Sequence, residues 1–188
     1  MKKILILILC MCVLHTTAFA AEHKVDYMSL MIDAVINADD AAGLKAERAR
    51  NAKIDALGLS YEKVSYKDLY WLSRVINAEV GSDWHTDELQ RMVGSVVLNR
   101  VNSNKYANTI YNVIYEKFGN GWQYGCAMTG SVKDTPTEKA VKNALYLLEN
   151  GSILPDGVLT QSEWIWGEVH AKYTDEILGT TMYFCYLE

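Results

Sequence analysis

The chain has 188 residues, half of them hydrophobic, with 18 basic against 23 acidic side chains and a net charge of −5. That length suits one domain with a sizeable core. The acidic balance argues against nucleic acid or an anionic membrane surface as the main partner, because both reward a basic patch.

The N-terminus reads as a targeting segment. Lys2 and Lys3 precede an apolar run from Ile4 to Leu14, and Ala18 and Ala20 supply the small residues of an A-x-A exit. This is the pattern of a secretory signal peptide over 1–20, cleaved after Ala20. The run is too short for a permanent anchor. Cys10 and Cys12 follow Leu9 and Met11 rather than a small residue, which disfavours a lipoprotein site. The expectation is an exported protein, periplasmic, wall-associated or extracellular, with no integral membrane segment after cleavage. The remaining 168 residues carry 16 basic and 23 acidic groups, net −7. A monomer is expected.

Residues 26–57 read as helical, with a stripe of Tyr27, Met28, Met31 and Val35, an interruption at Asp39-Asp40, and a stop at Gly58. One long helix and a hairpin of two both fit, and the 21–60 segment is taken as an extension ahead of a main domain over 61–188. Ser65 is a good N-cap for the next helix, with Asp68 in its first turn. Leu69, Leu72, Val75 and Ile76 then lead to Glu79, and Gly81 can end the helix. Thr86 caps a further helix whose Met92, Val93, Val96, Val97 and Val101 suit a central position, finishing at Asn99, Arg100 and Asn102. A shorter helical piece spans 110–115. Gly119 to Gly125 holds three glycines in seven residues and is expected to be loop. Thr135-Pro136-Thr137-Glu138 reads as a capping box opening a helix that ends at Asn150-Gly151. Val158–Trp166 and Thr180–Leu187 are rich in aromatic and β-branched residues and are expected to be strands. The fold class that follows is α+β, mainly helical, with a small antiparallel sheet near the C-terminus.

Glu79 stands out chemically. Leu72, Val75 and Ile76 share its side of the helix, so its carboxylate points toward protein. Burial raises a carboxyl pKa, and the negative end of the helix pushes the same way. A carboxyl that keeps its proton near neutral pH can protonate a leaving oxygen, as glycosidic bond cleavage requires. The plainer alternative is a glutamate fraying into solvent at a helix end. Trp84, Trp122, Tyr124, Trp164 and Trp166 offer flat faces for sugar rings, and Gln123 an amide for hydroxyl or acetamido groups. Trp122 and Tyr124 carry most weight, because a glycine-rich loop does not need them for packing, whereas Trp71 reads as core. Asn99 and Arg100 read as structural. Cys126 and Cys185 either form one bridge closing a long loop or remain two buried thiols. His23, His85 and His170 show no ligand spacing, so neither a metal nor a cofactor is expected.

Residues 69–188 resemble the cell-wall hydrolase family typified by the spore-cortex lytic enzyme SleB. The resemblance rests on Val97-Leu98-Asn99-Arg100-Val101-Asn102-Ser103, on Asn108-Thr109-Ile110 with Val113-Ile114-Tyr115, and on the helix ending in Ala78-Glu79. Gln123-Tyr124 and the C-terminal Ile177-Leu178-Gly179 with Tyr183-Phe184 complete it. It implies a lysozyme-like domain of lytic transglycosylase type acting on peptidoglycan glycan strands, with Glu79 as the acid/base. Asp83, Trp84, Trp122, Gln123, Tyr124 and Trp166 are then the candidate cleft residues. The sequence departs from the family in a longer Val80–Asp87 connection, a longer Phe118–Gly125 loop, and Thr181 where many relatives have histidine. Two other outcomes stay open. One is a hydrolytic muramidase using Asp83 or Asp87 beside Glu79; the other is a wall-binding protein without catalysis.

Overall fold

The structure, a computed structural model, describes residues 26–60 and 64–187, so the expected signal peptide lies outside the described residues. It opens with the hairpin alternative: α1 (Tyr27–Ile36) and α2 (Asp40–Ala56). The Asp26 side chain accepts from the Met28 and Ser29 N–H groups, and Asp39 caps α2 by accepting from Ala42 N–H. Between them Ala38 takes a φ of 53°. That left-handed conformation costs an L residue about 1 kcal/mol and breaks the helix there.

The core is built around α3 (Tyr66–Val80), whose Leu69, Leu72, Val75 and Ile76 are fully buried. It packs against α4 (Asp87–Asn102) and α7 (Glu138–Asn150). Gly94 lets the three come together. A Cβ there would lie 2.5 Å from Leu147 Cδ1 and 2.7 Å from Ile76 Cδ1. The α1–α2 hairpin joins the same core through Met31, Ala34, Val35 and Ala46. Tyr66 fastens it: its ring fills the space a side chain at Gly43 would need, and its hydroxyl donates to Asp40 Oδ1 at 3.0 Å. The buried Arg74 adds a bond from its guanidinium to Val35 O at 3.2 Å.

After the short α5 (Ile110–Ile114), the segment expected to be loop carries a two-residue ribbon and a short helix. These are β1 (Lys117–Phe118), antiparallel to β2 (Gly121–Trp122), followed by α6 (Gly125–Thr129) and a 3-10 turn over Ser131–Lys133. The glycines make the turn instead of abolishing structure, with Gly119 at φ 57°. The α7 cap also differs from the expected box. Thr137, not Thr135, is the N-cap, accepting from Ala140 N–H, because Asn77 Oδ1 of α3 takes the Thr137 N–H at 2.9 Å.

The C-terminal sheet has the order β3 (Val158–Ser162), β5 (Thr180–Tyr186), β4 (Val169–Asp175), antiparallel throughout. The strand expected over Val158–Trp166 stops at Ser162, and β4 was not expected at all. It is a mostly exposed edge strand, so its polar residues give little alternation to read. The sheet is fastened to α4. Asn99 Nδ2 donates to Pro155 O at 2.8 Å and Val158 O at 3.1 Å, and Arg100 Nε donates to Leu159 O at 2.7 Å. Among the described residues no helix is long and apolar enough to cross a membrane.

Candidate active site

Glu79 is the last residue but one of α3 and is half-buried. The helix end is fixed from two sides. Asn77 is bonded to the start of α7, and Gly81 passes so close that a Cβ would sit 2.2 Å from Asn77 O. Burial pushes the Glu79 carboxyl pKa up. Two neighbours oppose that without reversing it: the Cys126 thiol, which donates a hydrogen bond to the carboxylate, and the positive charge of Arg100. Burial and the neighbouring Glu79 charge in turn drive the Cys126 thiol far above its ordinary range, so it acts as a neutral donor.

Tyr124 does not project from a loop to stack on a ligand. It is 2% exposed, immediately before α6, with its ring 5.1 Å from the Arg100 guanidinium. Burial pushes its hydroxyl pKa up to about 12. The cation behind the ring and the start of a helix give this aromatic a packing role that its glycine-rich surroundings concealed.

Arg100 also leads into a cavity of about 390 Å³ whose lining includes Tyr106, Gln123, Gln161 and Trp166. In its lining both amide atoms of Gln161 and Arg100 Nη1 are buried without a hydrogen-bond partner among the described residues, as is the hydroxyl of Tyr124 next to Gln123 in the chain. An unsatisfied buried polar group costs about 1–3 kcal/mol. Such a group calls for an explanation, and a polar ligand is one. Trp166 is 54% exposed at the rim.

The cavity thus gathers Gln123 and Trp166 from the expected set. Trp122 packs elsewhere, edge-on to Tyr115 at 6.0 Å with the Lys117 ammonium 3.3 Å from its ring centre. Trp84 belongs to a second cluster: its Nε1–H donates to Asp175 Oδ2 at 3.1 Å, beside a 2.8 Å bond from His85 Nε2 to the same oxygen. Asp83 is exposed, and its carbonyl accepts from Lys139 Nζ at 3.4 Å. Cys126 and Cys185 are both free buried thiols, so the bridge alternative is not formed. Cys126 lies against Glu79, while Cys185 sits in the central strand of the sheet, between Thr160 and Val169. Sequence reasoning missed Gln161, Tyr106 and the roles of Arg100 and Cys126. Among the described residues no group of three or more His, Cys, Asp or Glu side chains is placed to hold a metal.

Two solved structures are similar to the chain. One is the catalytic domain of the Bacillus cereus SleB protein, 21% identical over 64% of this chain and 91% of that one, with a TM-score of 0.46. The other is the catalytic domain of the germination-specific lytic transglycosylase SleB from Bacillus anthracis, 23% identical over 64% and 96%, with a TM-score of 0.48. No curated protein matches. The family model for cell wall hydrolase matches residues 84–176, a segment that begins five residues after Glu79 and contains Arg100, Gln123, Cys126, Gln161, Trp166 and Asp175. Over that segment the chain is similar to the cell wall hydrolase family.

Proposed function

We propose that the chain is an exported peptidoglycan-cleaving enzyme, a lytic transglycosylase that cuts the MurNAc–GlcNAc glycosidic bond with Glu79 as its single acid/base. The proposed organisation is a signal peptide over 1–20, a helical extension over 21–60 and a catalytic domain over 61–188, working as a monomer. The observation that carries the reading is Glu79 itself, a half-buried carboxyl whose pKa is raised by burial and whose neighbours Arg100 and Tyr124 adjoin a cavity of unpartnered polar groups.

The chemistry follows from the raised pKa. Protonated Glu79 gives its proton to the glycosidic oxygen as that bond breaks, releasing the leaving sugar. The resulting carboxylate takes the proton from the muramic acid 6-hydroxyl as that oxygen bonds to the anomeric carbon. Glu79 ends as it began, and the product carries a 1,6-anhydro end. Gln161, Gln123 and Arg100 supply donors and acceptors for hydroxyl and acetamido groups, and Trp166 an aromatic face at the rim.

Hydrolysis would need a second carboxylate to activate water. Asp83 is exposed, and Asp87 accepts from Asn143 Nδ2 at 3.0 Å on the face it shares with Arg91 and Lys142. Neither is among the groups that act on the Glu79 carboxyl, which are Cys126 and Arg100, and this favours transglycosylation. The test is mass spectrometry of soluble products released from purified sacculi by the protein without residues 1–20, with Glu79→Gln as control. Anhydro-muramyl ends are expected. Reducing ends would replace the mechanism by hydrolysis, and binding to sacculi without any fragments would remove catalysis altogether.

A further inference from the structure

The aromatic residues outside the cavity form a continuous row. Ring centroids lie 5.0 Å apart for Tyr70 and Trp71, 5.0 Å for Trp71 and Tyr111, 4.8 Å for Tyr111 and Tyr115, and 6.0 Å for Tyr115 and Trp122. At one end Trp122 immediately precedes Gln123 in the wall of the cavity. At the other, Tyr70, Trp71 and Tyr111 line a groove of about 530 Å³. Trp71 is half-buried there, and Tyr111 is 47% exposed although its ring packs on two others.

The groove is not merely apolar. Ser65, Asp40 and Asp68 share its lining, and Asp40 comes from the α1–α2 hairpin, well ahead of the matched family segment. Aromatic faces beside a few placed carboxylates and hydroxyls suit a neutral polyhydroxylated ligand, whose C–H faces stack while its hydroxyls donate to carboxylate oxygens. Asp40 and Asp68 outnumber the one ammonium in the lining, that of Lys67, so the groove stays net negative, which disfavours a nucleic acid or a phosphorylated polymer.

We infer that the groove between α2, α3 and α5 is a second glycan subsite, holding sugar units remote from the cleaved bond, with the Tyr70–Trp71–Tyr111–Tyr115–Trp122 row carrying the strand between. The inference rests on the peptidoglycan reading above. It gives the α1–α2 hairpin a function: through Asp40 and Leu44, held in place by Tyr66 of α3, it forms one wall of the distal subsite. Recognition of several sugars at once makes the protein a reader of long strands rather than of short fragments.

The test measures binding of peptidoglycan disaccharide and octasaccharide to Glu79→Gln protein by calorimetry, with wild-type cleavage of sacculi run alongside. The octasaccharide is expected to bind more tightly. Tyr111→Ala is expected to lose about tenfold in octasaccharide affinity and none in disaccharide affinity, with its far-UV spectrum unchanged. A readout that leaves the groove intact is the indole N–H resonance of Trp71, assigned by its loss in Trp71→Phe. It is expected to move with octasaccharide and stay still with disaccharide. Equal affinity for both lengths, or a Trp71 signal indifferent to both, overturns the subsite while cleavage by the wild type keeps the functional reading intact. Failure to bind either length, together with absence of cleavage, overturns that reading and the subsite with it.

Discussion

Glu79 and Asp175 are carboxyl groups in two regions of one domain, and their surroundings drive them in opposite directions. Asp175 ends β4 and receives four donors: Ile177 N–H at 2.8 Å and Leu178 N–H at 3.0 Å on Oδ1, Trp84 Nε1–H at 3.1 Å and His85 Nε2–H at 2.8 Å on Oδ2. The Leu178 N–H and then the Trp84 indole hold its pKa down to about 2. Being anionic, it requires the His85 proton on Nε2. Among the described residues the Cys126 thiol is the one donor to Glu79, and burial raises the Glu79 pKa. Saturation with donors makes Asp175 a clamp between the loop after α3 and the β4–β5 turn. Scarcity of donors and a raised pKa suit Glu79 to the proton exchange proposed for it. The number of hydrogen bonds to the charged form, set against desolvation, separates a structural carboxylate from a reactive one.

The sharpest way to break that division is to neutralise each group in turn. Glu79→Gln is expected to lower glycan cleavage about a thousandfold, the scale of a lost general acid, with the fold intact. Its stability should move the other way. A carboxyl whose folded pKa lies above the ordinary 4.5 contributes stability below that value and loses it as pH rises through the folded pKa. Glu79→Gln therefore melts higher than wild type at pH 7, and the gap closes toward pH 4. Equal loss of cleavage in Asp175→Asn would collapse the contrast.

A smaller effect is expected at Gln161. Its amide atoms are buried without partners among the described residues, so Gln161→Ala removes an unsatisfied group from the free protein and a bonded one from the complex. KM should rise about tenfold with kcat little changed, and the melting temperature should hold or increase. A fall in melting temperature would make Gln161 an ordinary structural amide. Asp175→Asn should show the opposite balance, with a lowered melting temperature and most activity on soluble glycan retained. Its sign follows from a depressed pKa: the stabilisation is present above the ordinary 3.8 and lost as pH falls through about 2. Melting curves of the two proteins should converge over that window.

These effects fall unevenly on what the sequence makes legible. Helices α3 and α4 are readable because Ser65 and Thr86 cap them and uninterrupted apolar stripes follow. The inward side of Glu79 is readable for the same reason, as it continues the face of Leu72, Val75 and Ile76. The cap of α7 is not, because Thr137 displaces Thr135 through a bond to Asn77 that local pattern does not contain. Gln161, Arg100 and Cys126 come from β3, α4 and α6, and only the fold brings them to one place. Tyr124 misleads because its flanking glycines suggest exposure, whereas Arg100 behind its ring gives it a buried seat.

The finest test concerns the thiol that donates to Glu79. The Cys126 thiol stabilises the charged carboxylate and so holds the Glu79 pKa below where burial alone would put it. In the proposed mechanism bond cleavage begins from protonated Glu79, so the rate should fall as pH rises through that pKa. Cys126→Ala removes the donor and is expected to shift the alkaline limb of the pH–rate profile upward. It also removes volume, and water entering the space would weaken desolvation and move the limb down. Cys126→Ser separates the two effects. It restores most of the volume and supplies a stronger donor than a thiol, so its limb should lie below that of the wild type. Opposite shifts for alanine and serine identify the hydrogen bond as the control on Glu79. Shifts in the same direction would identify hydration of the site instead, and the contrast with Asp175 would then rest on burial alone.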